Sequence, residues 1–88
     1  MEYNLSYHPD VKKVDLPKID AKNKSMIRRA IEERLTTSPE IYGKPLRRSL
    51  KGYWKLRVGD YRIIYQINDQ TVTILAVKHR KNIYSKVS

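Results

Sequence analysis

The sequence contains no cysteine, which excludes a disulfide framework, cysteine-ligated zinc and a thiolate nucleophile together. No apolar run approaches the ~18 residues needed to span a bilayer. The opening Met1-Glu2-Tyr3-Asn4-Leu5 lacks the basic-then-apolar pattern of a secretion signal. The expected setting is the cytoplasm, with no membrane partner. Gly-rich phosphate loops and nucleophile elbows are absent. His8 and His79 have no metal-ligand spacing, and Asp60 and Asp69 are the only side-chain carboxylates after residue 45. That leaves little there for paired-carboxylate or acidic metal-site chemistry. Ser49 and Ser85 lack a credible base and orienter. The reading therefore calls for no metal and no cofactor. Repeats, low-complexity runs and linkers are also missing, so residues 1–88 are expected to form one domain.

What the sequence does have is positive charge. Its 88 residues carry 19 Lys and Arg against 9 Asp and Glu, a net charge of +10. Residues 1–44 are nearly balanced at +2, whereas residues 45–88 carry ten basic and two acidic side chains, +8. Such asymmetry points to a polyanion or an acidic partner. The hydrophobic fraction of 40% beside a charged fraction of 32% suits a folded domain better than a disordered one.

The element order can be read from periodicity. Tyr3, Leu5 and Tyr7 alternate as in a strand. Asp10 is placed to cap a short helix through Val11, Val14 and Leu16, which Pro17 ends or hinges. Residues 20–37 form the strongest helix. Met26, Ile27, Ala30, Ile31 and Leu35 make its apolar stripe, and Arg28 and Arg29 stand four residues before Glu32 and Glu33, positioned to pair. Thr36-Thr37-Ser38-Pro39 stops it, and a basic loop follows from Gly43 to Gly52. Three strands come next, Tyr53–Val58, Tyr61–Ile67 and Thr71–Val77. The expected class is α+β: an N-terminal strand and two helices packed on one face of a small antiparallel sheet.

Hairpin register then assigns the faces. With Gly59-Asp60 as a two-residue turn, glycine first, Arg57 opposes Arg62 and Lys55 opposes Ile64. Trp54, Leu56, Val58, Tyr61, Ile63, Tyr65 and Ile67 fall on the core side. Tyr53, Lys55, Arg57, Arg62, Ile64 and Gln66 fall on the other. The third strand adds Val72, Ile74 and Ala76 to the core, and Leu75, Val77 and His79 to the open face. Lys55, Arg57 and Arg62 thus share a surface on which Arg57 directly faces a like charge. A solvated face of splayed side chains is the plain alternative, but a pairing that lowers stability favours an anion held between the two arginines.

Lysine, arginine, tyrosine and one histidine around a phosphate-sized patch suit metal-free phosphodiester cleavage. Cations neutralise developing charge, and Lys, Tyr or His moves protons. In RNA the 2′-OH supplies the nucleophile, and aromatic rings can stack on unpaired bases. The segments Gly43-Lys44-Pro45-Leu46 and Leu50–Tyr65, with the tail Val77-Lys78-His79-Arg80-Lys81-Asn82-Ile83-Tyr84, resemble the RelE/ParE toxins of type II toxin–antitoxin systems. The tail resembles the RelE branch.

The resemblance implies a microbial-RNase-like fold and ribosome-dependent cleavage of mRNA that arrests translation. By position, Lys55 matches the lysine near the attacking 2′-OH, and Arg62 the arginine on the scissile phosphate. Arg80 matches the arginine near the phosphate and leaving group, and Tyr84 the C-terminal tyrosine that stacks on a base. Tyr53 stands where some members have a second lysine. Arg57, His79, Tyr53, Arg47, Arg48, Lys51, Lys78 and Lys81 are candidates for RNA contact. The implied partners are a cognate antitoxin with an amphipathic helix and an acidic segment, the ribosome and mRNA, the toxin alone being a monomer. The alternatives are a ParE-like DNA gyrase inhibitor and a catalytically degenerate RNA- or antitoxin-binding module.

Overall fold

The computed structural model describes residues 2–47 and 52–81. Strand β1 spans Asn4–Tyr7. A π-helical turn, Val11–Asp15, runs into a 3-10 turn, Leu16–Lys18. Helix α1, Ala21–Ala30, continues in π geometry through Ile31–Leu35. The single-turn helix α2, Pro39–Tyr42, leads to β2, Lys44–Pro45. Strands β3, Tyr53–Val58, β4, Tyr61–Asn68, and β5, Thr71–His79, complete a five-stranded sheet ordered β1-β5-β4-β3-β2. The sheet is mixed, because β1 runs parallel to β5 while β2–β5 pair antiparallel.

The hairpin adopts the register read from sequence, including Arg57 opposite Arg62. Gly59 takes φ +57°, as a tight turn with glycine first requires. Ile27, Ala30, Ile31 and Leu35 pack against Leu56, Val58, Ile63, Tyr65, Val72, Ile74 and Val77 in one apolar cluster. Trp54 stacks on Tyr65 at its margin. Met26 leaves the stripe and lies over the Gly59 turn. Ile64 is buried on the opposite face, outside that cluster.

Three local expectations change. Asp10 does not cap the first turn with its side chain; its N–H donates to His8 Nδ1 at 3.1 Å. The pairs Arg28–Glu32 and Arg29–Glu33 do not form among the described residues, because the π turn from Ile31 alters the four-residue phase. The most consequential change is in β5. Ile64 pairs with Ala76 but Tyr65 pairs with Ile74, so Leu75 is an extra, bulged residue. Beyond it the faces exchange. Val77 enters the core, while Ala76 and Lys78 take the open side.

Tyr65 fixes how the chain rounds the sheet. Its buried hydroxyl donates to the Pro39 carbonyl at 2.5 Å. Gly43 passes so close that a Cβ there would lie 1.7 Å from that hydroxyl. Gly43 is extended (φ −96°), so glycine is needed here for space and not for backbone freedom. Burial, reinforced by Glu40, pushes the Tyr65 hydroxyl well above its ordinary pKa of 10.0. Tyr7 is raised in the same way, by burial and then by Glu32.

Gly43→Ala should therefore destabilise the fold by about 1–3 kcal/mol, the usual range for overpacking. Tyr65→Phe should cost about 1 kcal/mol at neutral pH, measured by urea unfolding. The native state keeps the Tyr65 proton at a pH where the unfolded chain releases it. Stability should thus fall as pH rises above about 10, and Tyr65→Phe should reduce that slope.

Candidate nucleic-acid interface

The strand pairings align cations across the open face. Lys44 is opposite Lys55, Arg57 is opposite Arg62, and Arg62 is opposite Lys78. Tyr42, Lys44, Lys55, Arg57 and Arg62 line a shallow basin of about 270 Å³. No carboxylate lines it. Like charges facing across strands are unfavourable by some tenths of a kcal/mol per pair. A bound polyanion would turn that repulsion into attraction, and the basin is large enough for a phosphate group.

Each predicted site residue among the described ones has a definite place. Lys55, Arg57 and Arg62 meet in the basin. The Arg62 Nη1 donates to the carbonyls of Gly59 (3.1 Å) and Tyr61 (2.9 Å), which tethers its guanidinium to the hairpin turn. Arg80 reaches the same turn from β5. Its N–H donates to the Asp60 carbonyl at 2.8 Å, and its Nε lies 3.8 Å from the Asp60 carboxylate. Lys78 is on the open face, but its ammonium is bound to the buried carboxylate of Asp15. Asp15 also accepts the Val77 N–H at 2.9 Å.

Tyr53 shares the open face, opposite Gln66, one step along the strand from the basin. Arg47 and Lys81 are exposed in turns outside the basin. His79 is a correction: the Leu75 bulge carries it to the core side, where it packs edge-on against Tyr61 at 5.4 Å between centroids. Its Nδ1 accepts the Lys81 N–H. Arg48, Lys51 and Tyr84 lie outside the described residues. Among the described residues no group of three or more His, Asp or Glu side chains comes together as a metal site.

Tyr42 and Lys44 were not among the candidates. Both precede the strands whose alternation carried the reading, and Lys44 joins the site through a two-residue strand ending in proline. The available signal was Pro45 itself, since proline in a sheet is confined to edges.

The fold, helices packed on one face of a mixed five-stranded sheet, recurs in solved RelE-type toxins. The RelBE2 toxin–antitoxin complex of Mycobacterium tuberculosis contains a chain that superposes with a TM-score of 0.83 at 34% identity, covering 91% of this chain and 100% of that one. The RelB–RelE complex of Methanococcus jannaschii matches with a TM-score of 0.75 at 26% identity, covering 94% and 99%. In sequence, the chain is 48% identical over 54 residues to Toxin RelG of Mycobacterium tuberculosis, which is 59% of this chain and 62% of that toxin. It is 40% identical over 52 residues to Toxin RelE of the same organism, 57% of this chain and 54% of that toxin. These matches thus span between half and two thirds of the curated relatives' lengths. The family described as "ParE toxin of type II toxin-antitoxin system, parDE" matches residues 6–84, and the chain belongs to it.

Arg57→Glu would place opposite charges across β3 and β4. It should raise thermal stability slightly, by up to ~1 kcal/mol, while lowering affinity for single-stranded RNA. Lys44→Ala should flatten the dependence of log K on log salt by about 0.7, one phosphate contact. A salt titration of oligonucleotide binding checks both effects on affinity, and a thermal melt checks the stability.

Proposed function

We propose that this chain is the toxin of a toxin–antitoxin pair and cleaves mRNA on the ribosome, without a metal. The observation that carries this reading is the basin in which Lys44, Lys55, Arg57 and Arg62 converge with no carboxylate among them. In the reaction, the 2′-oxygen attacks the adjacent phosphorus and loses its proton. The bond from phosphorus to the 5′-oxygen breaks, and that oxygen takes up a proton. The products carry a 2′,3′-cyclic phosphate and a 5′-OH.

Arg62 and Arg80 are assigned to the negative charge on the scissile phosphate, Lys55 to promoting 2′-OH attack, and Tyr84 to stacking on a base or assisting proton transfer. The turn at Gly59–Asp60, which both arginines contact, supports their pairing in this role. A cationic patch is a weak catalyst on a flexible substrate. The ribosome would supply the in-line geometry, an effect worth several kcal/mol. The RelBE2 and RelB–RelE complexes favour a cognate antitoxin as the inhibitory partner.

The match to the ParE toxin family favours a second reading, inhibition of DNA gyrase on the same fold without nuclease chemistry. Single-turnover cleavage on programmed ribosomes, run beside a gyrase supercoiling assay, separates the two. On the nuclease reading Arg62→Ala should lose on the order of 10²–10³ in rate, because it stabilises charge that develops in the transition state. Lys55→Ala should lose a comparable or smaller factor, and Lys55→Arg should not restore it, because arginine does not release its proton. Both variants should melt like the parent. Full cleavage activity in both alanine variants would remove the proposed site, and inhibition of gyrase with no cleavage would replace the nuclease reading by the second.

A further inference from the structure

One wall of the basin is aromatic. Tyr42 ends α2 immediately before the chain enters β2, and it lines the basin beside Lys44, Lys55, Arg57 and Arg62. The residue remains 53% exposed. The Arg34 guanidinium sits over the ring at 5.9 Å from the centroid, a cation–π contact that orients it.

The backbone beneath the ring is firmly held. The Tyr42 N–H donates to the Ser38 carbonyl at 3.1 Å, and the Gly43 N–H donates to the Pro39 carbonyl at 3.3 Å. That same Pro39 carbonyl receives the buried Tyr65 hydroxyl. The ring thus stands on a pedestal anchored in the core, with one side braced by a cation.

Phosphate contacts position a nucleic acid, whereas an unpaired base needs a flat surface on which to stack. A braced, half-exposed ring against a cationic basin offers both within one nucleotide's reach. We propose that Tyr42 is the stacking platform for the base attached to the phosphate held in the basin, so that the site takes single-stranded RNA by backbone and base together. The inference rests on the RNA reading above and adds a positioning residue to it.

The test uses the full chain and a short single-stranded RNA in which one abasic nucleotide is moved through the sequence. The parent protein should lose affinity on the order of 10-fold or more when the abasic unit reaches one particular position. Tyr42→Phe, which keeps the ring, should behave like the parent. Tyr42→Ala should bind intact RNA more weakly by that same factor and lose nothing further at the abasic position. Its thermal melt should fall only slightly, by the loss of the Arg34 contact. Intact RNA held equally well by Tyr42→Ala, or a Tyr42→Ala protein still sensitive to base removal at that same position, would overturn the assignment while leaving the cationic basin in place. If the parent protein bound no RNA at all, the RNA reading itself would fall, and the platform with it.

Discussion

The register of the β3–β4 hairpin is the constraint from which the molecule follows. Strand side chains alternate, so a one-residue slip of β3 against β4 would drive Lys55 and Arg57 into the apolar cluster and expose Leu56 and Val58. The φ of +57° at Gly59 and the burial of Ile63 and Tyr65 specify the same pairing from opposite ends of the hairpin. Everything on the open face inherits its position from that agreement. Lys44 is placed by pairing with Lys55, and Lys78 by pairing with Arg62.

The cationic face lowers stability, and the fold offsets it locally instead of by neutralisation. Arg62 turns its guanidinium onto two backbone carbonyls of the turn, and Lys78 is drawn to Asp15. Lys44, Lys55 and Arg57 line the basin with no carboxylate there. Arg62 and Lys78 thus have partners outside the basin, while the basin lining itself is cationic, a setting suited to a ligand of opposite sign. Core packing cannot explain the arrangement, because neutral side chains at Arg57 or Lys44 would fold at least as well.

Sequence alone was a good guide wherever period 2 and turn chemistry agreed. Leu56, Ile63, Tyr65, Lys55 and Arg62 all lie on the faces expected, and Ile27, Ala30, Ile31 and Leu35 cover the core side. It failed where a single residue broke the period. Leu75 is as apolar as its neighbours, so nothing in the composition of β5 announces the bulge that sends Val77 inward and His79 away from the basin. Lys44 and Tyr42 escaped for another reason. Two residues make no periodic pattern, and a one-turn helix makes none either, so their placement comes from the tertiary contact between Tyr65 and Pro39. The parallel pairing of β1 with β5 likewise belongs to the whole chain and not to the four residues of β1.

The buried carboxylate of Asp15 has a consequence beyond its ion pair. Strand β1 covers β5 only from Thr71 to Ile74, and beyond that the outer margin of β5 would present bare backbone donors. Asp15 takes the Val77 N–H there, and its negative charge fills the place where a foreign strand would have to lay its own carbonyl. At the other margin, Pro45 brings no donor at all. A small protein with a net charge of +10 thereby closes positions on both borders of its sheet to chance hydrogen bonding, which guards against edge-to-edge aggregation. Protection of the sheet border at this point rests on one acidic side chain hidden from solvent.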